Sequence, residues 1–164
     1  ELMQPVKERA DFVIDTSRLS TAQLRSELLR LFDSKGEKGG MLVHVTSFGF
    51  KYGLPMEADL VFDVRFMPNP YYIETLREKT GLDGDVYDYV FSFQQTKDYI
   101  EKLEDPLAFS LPLYAEEGKP SLVIAVGCTG GHHRSVAVTH ALTEWIRKKG
   151  YQVTENHRDM SRGV

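Results

Sequence analysis

Apolar positions along the chain alternate between two patterns. Residues 10–15 (ADFVID), 41–45, 58–66 and 121–126 are short, β-rich runs, and each reads as a strand. Within 41–45, Met41, Val43 and Val45 alternate with Leu42 and His44. Residues 121–126 (SLVIAV) are instead a continuous run, typical of a strand covered on both faces. Between these runs the spacing turns helical. Ser20 opens a helix with Gln23 three residues on, a capping-box pattern, and Leu24, Leu28, Leu31 and Phe32 share one face. Residues 36–40 (GEKGG) form a loop. Pro68 and Pro70 stop the 58–66 strand. A short helix is expected over 71–79, ending near Gly81, and further helix over 86–92 and 96–103, with Pro106 and Pro112 interrupting the chain beyond it. The clearest helix covers 135–149. Val138, Leu142, Trp145 and Ile146 line one face, three cations stand in its last turn, and Gly150 ends it. Residues 151–154 supply a last strand. Strands alternating with helices predict an α/β domain with a mainly parallel sheet flanked by helices.

The chain has 164 residues, enough for one domain with a real core. Its 24 acidic and 20 basic residues give a formal net charge of −4, which argues against a dedicated nucleic-acid binder while leaving room for a local basic patch. The single cysteine excludes a disulfide framework and a multi-cysteine zinc site, and suits a reducing compartment. No apolar run reaches the roughly 20 residues of a membrane span. The polar first residues lack the apolar stretch of a signal peptide. Residues 1–9 are charged, carry Pro5 and open on Glu1 rather than Met, which reads as the trimmed end of something longer.

The sharpest chemical signal is Gly127-Cys128-Thr129-Gly130-Gly131-His132-His133-Arg134-Ser135, between the clearest strand and the clearest helix. Ligands of open α/β sheets bind at such strand carboxyl ends. Three glycines let backbone N–H groups turn inward as an anion nest, and the following helix presents free N–H groups and the positive end of its dipole. Arg134 offers a bidentate fork, Thr129 and Ser135 offer hydroxyls, and His132 or His133 could add charge near neutral pH. The loop points to an oxyanion ligand, phosphate above all.

The same run holds Cys128, five residues, then Arg134 and Ser135, the C-x5-R-[ST] spacing of cysteine-dependent phosphatases. Such an enzyme also needs a general acid, for which Asp63 and Asp83 qualify by residue type alone. A small buried cysteine at a strand end is the plainer reading. A second constellation joins Ser47-Phe48-Gly49-Phe50-Lys51-Tyr52-Gly53 with Asp63-Val64-Arg65-Phe66 and Asn69. Both segments come after strands, so a parallel sheet brings them to the edge of the glycine loop. Lys51 and Arg65 add positive charge there. Ser47, Tyr52 and Asn69 suit neutral hydroxyls such as those of a sugar. His44 on its strand and Trp145 on its helix read as core residues, and His140 lies inside that helix with no evident metal partner.

Five ordered motifs carry a resemblance. They are residues 10–17 (ADFVIDTS), 47–51 (SFGFK), 63–66 (DVRF) with Pro68-Asn69-Pro70, 80–83 (TGLD) and 127–136 (GCTGGHHRSV). Together they resemble the C-terminal domain of the RapZ/YvcJ family of bacterial cytoplasmic proteins, over essentially the whole chain. The resemblance implies an N-terminal P-loop kinase-like domain that binds and hydrolyses ATP or GTP. This chain has no G-x-x-x-x-G-K-[ST], so no cofactor is expected in it. Residues 1–14 would be the tail of that domain, and 15–164 a ligand-sensing domain. In the RapZ branch this domain binds small regulatory RNAs, serves as an adapter for RNase E and senses glucosamine-6-phosphate. The resemblance further implies a fold like part of phosphofructokinase, and dimers within a tetramer. By similarity, Thr129, Gly130, His133 and Arg134 would hold the sugar phosphate.

Two departures matter. Tyr52 stands where the RapZ branch has histidine, and the tail over 152–164 sets only Arg158 and Arg162 against Glu155 and Asp159, where that branch is strongly basic. The chain is thus more similar to the YvcJ branch, tied to nucleotide-sugar sensing and competence. The expectation is a cytoplasmic, homo-oligomeric regulatory domain. Its ligand would be a phosphorylated amino sugar or nucleotide sugar, of glucosamine-6-phosphate or UDP-N-acetylglucosamine type. The expected site is Cys128, Thr129, Gly130, Gly131, His132, His133, Arg134 and Ser135, with Ser47, Lys51, Tyr52, Arg65 and Asn69. RNA contact is expected to be weak. An RNase-adapter domain and a cysteine phosphatase are the alternatives.

Overall fold

The computed structural model describes residues 40–162, together with Ile14, Thr16 and Leu24. The chain divides into two compact units, Glu1–Ser34 and Lys35–Val164, and the sheet and helices named below belong to the second. The expected strand over 10–15, helix from Ser20 and most of the 36–40 loop lie outside the described residues.

Four strands form one sheet in the order β2-β3-β1-β4, with every neighbouring pair parallel. They are β1 (Leu42–Gly49), β2 (Leu60–Asp63), β3 (Ser121–Cys128) and β4 (Gln152–His157). The described helices are α1 (Gly84–Ser92), α2 (Gln94–Glu116) and α3 (Arg134–Lys148). The α/β class and the parallel sheet therefore stand as the sequence indicates. Val43, Val45, Leu122, Ile124 and Val126 are fully buried, and α3 packs across β1, β3 and β4 with Val138, Leu142 and Ile146 beneath it. The opposite face of β3 is less covered than its sequence suggests, since Ser121 and Val123 are only partly buried.

Several element limits differ from the sequence expectation. β1 runs on through Ser47 to Gly49, because its ladder with β3 continues to the Gly49–Cys128 pair. β2 keeps only four residues of the 58–66 run. The expected helix over 71–79 is a single 3-10 turn, Pro70–Tyr72, followed by further turns. Asn69 caps that turn by accepting the Tyr71 N–H.

Pro106 and Pro112 do not interrupt α2, which continues to Glu116. Both prolines are exposed, while Thr96, Ile100, Leu103, Leu107 and Leu111 bury one face. Burying a leucine or isoleucine side chain gains about 1.5–3 kcal/mol, so Ile100 and the three leucines, about 6–12 kcal/mol together, offset the roughly 3 kcal/mol that each of the two interior prolines costs. Pro106→Ala restores a backbone donor without touching the core. It is expected to raise stability by about 1–2 kcal/mol, read from the midpoint of urea unfolding.

Candidate functional site

A parallel sheet gathers all its carboxyl ends on one edge. Register places Gly49 opposite Cys128, Asp63 opposite Gly127 and Ser47 opposite His157. The segments leaving these ends enclose a cleft of about 290 Å³ lined by Lys51, Asn69, Tyr71, Tyr72, Cys128, Thr129, Gly130, His132, His133 and Arg134. Lysine and arginine are among the lining residues, and aspartate and glutamate are not. The first turn of α3 opens beside it, and its N-cap residue, His133, makes no side-chain capping bond. Helix N-termini leave donors free and carry partial positive charge, so the edge favours an anion.

Arg134 is only 5% exposed, so its position is set by the protein rather than by solvent. Its Nη1 donates to the carbonyls of Arg65 (2.7 Å) and Met67 (3.1 Å), and its Nη2 to Thr129 Oγ1 (3.3 Å). Nε has no partner. One part of the guanidinium therefore ties the loop after β2 to α3, while Nη2 keeps a second N–H beyond the one it gives Thr129. His132 is likewise buried. Its Nδ1 lies 2.6 Å from the Met160 carbonyl and so must donate to it, and its Nε2 is unpartnered. Cys128 is buried, with Sγ accepting the Gly131 N–H (3.3 Å) and lying 3.1 Å from Ser135 Oγ.

Eight of the residues expected from sequence meet at the cleft: Lys51, Asn69, Cys128, Thr129, Gly130, His132, His133 and Arg134. Five do not line it. Ser47 is fully buried and bonded to His157 Nδ1 (2.9 Å). Ser135 is buried against Cys128. Gly131 holds the turn at φ +76°. Tyr52 packs between Lys51 and Arg162. Arg65 lies over the Phe50 ring and forms an ion pair with Asp63 (2.7 Å), which draws its charge away from the cleft.

Neither acid considered for phosphatase chemistry lines the cleft. Arg65 hydrogen bonding holds Asp63 below the usual carboxylate range, and the Thr80 N–H does the same to Asp83. Both stay ionised, the wrong state for a general acid.

Tyr71 and Tyr72 line the cleft although the sequence reading does not include them. A signal exists: two aromatics directly after Pro68-Asn69-Pro70, past a strand end. In sequence, the tail residues Arg158, Asp159 and Arg162 register only as a charge balance. The structure puts them against the loops that build the cleft.

Charge near neutral pH, expected of either loop histidine, is disfavoured at His133. Burial, reinforced by the neighbouring His132, pushes it below the ordinary histidine value. Burial also lowers His157, against the opposing pull of Glu155. The unfolded chain thus binds protons more readily than the native state between about pH 6.5 and the lowered native values. This contribution is fully present above that window and is lost as pH falls through it. Thermal unfolding should show Tm falling from about pH 7.5 to about pH 5.5, with a flatter profile in His133→Gln and His157→Gln. A Tm that climbs toward acid would contradict the argument.

Fold and site together define an all-parallel α/β domain with a cationic, carboxylate-free cleft at the carboxyl edge of its sheet. Residues 41–161 match the model of the RapZ C-terminal domain, and the chain belongs to that family. It is 51% identical over 164 residues to a nucleotide-binding protein of Caldicellulosiruptor bescii, covering 100% of this chain and 56% of that one. It is 48% identical over 162 residues to a nucleotide-binding protein of Acetivibrio thermocellus, covering 99% of this chain and 56% of that one. The chain thus spans just over half the length of these relatives. Among the described residues, no helix is long and apolar enough to cross a membrane.

Proposed function

We propose that this chain is a regulatory, ligand-sensing domain that binds a phosphorylated amino sugar or nucleotide sugar in the cleft. The observation that carries the reading is the charge of that cleft. Lys51 and Arg134 line it without any carboxylate, next to the uncapped N-terminus of α3. A phosphoryl group would lie against Thr129, Gly130 and Arg134, with Lys51 opposite. Asn69 offers an amide to sugar hydroxyls, and Tyr71 and Tyr72 offer rings on which a sugar or base can stack. In the longer proteins to which the chain is similar, such a domain would report metabolite level to a partner domain that binds ATP or GTP. It would do so within a self-associating assembly.

Calorimetric titration with glucosamine-6-phosphate, UDP-N-acetylglucosamine and unphosphorylated glucosamine tests the reading. Saturable binding of one phosphorylated compound, weakened in Lys51→Ala and without turnover, is the expected result. Equal affinity for glucosamine would overturn it.

RNA is expected to bind weakly and without sequence preference. Arg65, Lys79, Lys119 and Arg147 each carry an acidic partner, which dilutes the positive field that backbone recognition needs. Gel shifts should fade from low to physiological salt. Tight, selective complexes at physiological salt would favour an RNA-adapter role instead.

A further inference from the structure

We infer that Asp159 is a positioning residue for the cleft, holding its two loops in the register a ligand requires. The inference rests on the proposed ligand site and adds a residue that does not line it.

Three backbone segments meet behind the cleft. β1 ends at Gly49, whose last ladder partner is Cys128, and the chain beyond leads to Lys51. β3 ends at Cys128, and the chain beyond forms the glycine loop. The two remain in close contact. A Cβ at Gly49 would stand 2.6 Å from the Gly130 carbonyl carbon, and one at Gly131 would stand 2.6 Å from Gly49 N. The third segment comes after β4. Asp159 Oδ2 accepts the Gly49 N–H at 2.8 Å, and its Cβ lies 2.9 Å from where a Gly131 Cβ would be. Asp159 therefore sits where the Lys51 loop and the glycine loop touch.

Its carboxylate is fully buried, a costly place for a charge unless it is paired. Arg158 donates to Oδ2 through Nε (3.0 Å) and Nη2 (2.7 Å), and Arg162 Nε lies 3.1 Å from Oδ1. Burial alone would raise its pKa. The Arg158 hydrogen bonds, the Gly49 N–H and the two guanidinium charges outweigh burial and hold it below the usual carboxylate range.

Both arginines then reach onward to the same loop. Arg158 Nη2 donates to the Gly53 carbonyl at 2.7 Å, and Arg162 lies over the Tyr52 ring. On the other side, the Met160 carbonyl fixes His132. One short segment, built around one carboxylate, thus braces the loop that carries Lys51 and the loop that carries Thr129 to Arg134.

The test compares Asp159→Ala and Asp159→Asn with Asp59→Ala. Asp59 is a control away from the cleft, more exposed than Asp159 but with the same kinds of partner: it accepts a backbone N–H, from Val123 at 2.9 Å, and pairs with a cation, Lys119. Each folded variant is titrated with glucosamine-6-phosphate, and the Gly49 and Gly131 amides are followed by NMR. Asp159→Ala is expected to weaken affinity by about tenfold or more, and Asp159→Asn, which keeps an acceptor, to recover most of it. Asp59→Ala should lose stability and keep its affinity. The Gly49 and Gly131 amide signals should move in Asp159→Ala alone.

A folded Asp159→Ala with unchanged affinity and unmoved amides would overturn the inference. So would a gain in affinity in Asp159→Asn, which would mean that the carboxylate merely repels the anion. Should Asp159→Ala not fold, Asp159→Ser, whose hydroxyl ends one bond short of the Gly49 N–H, takes its place: lost exchange protection at the Gly49 amide with weakened affinity supports positioning, and intact protection with intact affinity overturns it. If the unaltered domain binds neither glucosamine-6-phosphate nor UDP-N-acetylglucosamine, the proposed ligand class falls. The amide signals still decide the role of Asp159.

Discussion

Arg134→Ala is expected to damage the fold and the ligand site together, and by separable amounts. The guanidinium holds the carbonyls of Arg65 and Met67 from a buried position. Removing it strips both of their donor, and a polar group left unsatisfied inside a protein costs roughly 1–3 kcal/mol. A stability loss of about 2–4 kcal/mol is the consequence, visible in urea unfolding. Ligand affinity should fall by a further 1.5–3 kcal/mol or so, the range for hydrogen bonds to charged groups, when measured at a temperature where the variant is folded. Arg134→Lys should keep part of the affinity, because it retains charge but loses the planar fork. Stability within about 0.5 kcal/mol of the parent would show that the clamp onto the loop after β2 contributes little.

Cys128→Ser serves as the counterpart. The thiol is buried and bonded to Gly131 and Ser135, so a sensor keeps its affinity in this variant, whereas thiolate chemistry would be abolished.

Gly131→Ala is the second large effect. Gly131 sits at φ +76°, where a side chain costs roughly 1–2 kcal/mol. The new Cβ would also stand 2.6 Å from Gly49 N and 2.9 Å from Asp159 Cβ, with backbone on one side and the tail segment on the other. Overpacking of this kind adds about 1–3 kcal/mol. The sum, about 2–5 kcal/mol, should appear as an early unfolding midpoint and a weakened ligand site. Gly130→Ala is the contrast. Its Cβ would meet only the flexible tip of Lys51, at 3.6 Å, so stability should barely change. Equal losses in the two variants would contradict this reading of the loop.

Period and punctuation in the sequence expose the sheet and α3, because apolar burial there follows from local pattern. Residues 121–126 could hardly be anything but a strand, and the glycine loop after them had to fall at its carboxyl end. The limits that failed were those decided by distant partners. Ser47 to Gly49 look like loop residues, yet β3 extends the ladder across them. Pro106 and Pro112 look like breaks, yet Leu103, Leu107 and Leu111 hold one helix against the core.

The candidate site divides the same way. Residues within the glycine run were legible together. Arg65 has the right charge and the right strand end, but Asp63 two residues earlier claims its guanidinium. The tail could be read only as a charge count, since the pairing of Asp159 with Gly49 spans 110 residues and leaves no trace in local spacing.

The most direct test is a pair of crystal structures of this chain, one grown with glucosamine-6-phosphate and one with UDP-N-acetylglucosamine. Density is expected in the cleft, with the phosphoryl group against Thr129, Gly130 and Arg134 and with Lys51 within reach. An empty cleft at saturating concentrations of both, or a ligand held elsewhere on the domain, would contradict the proposed site.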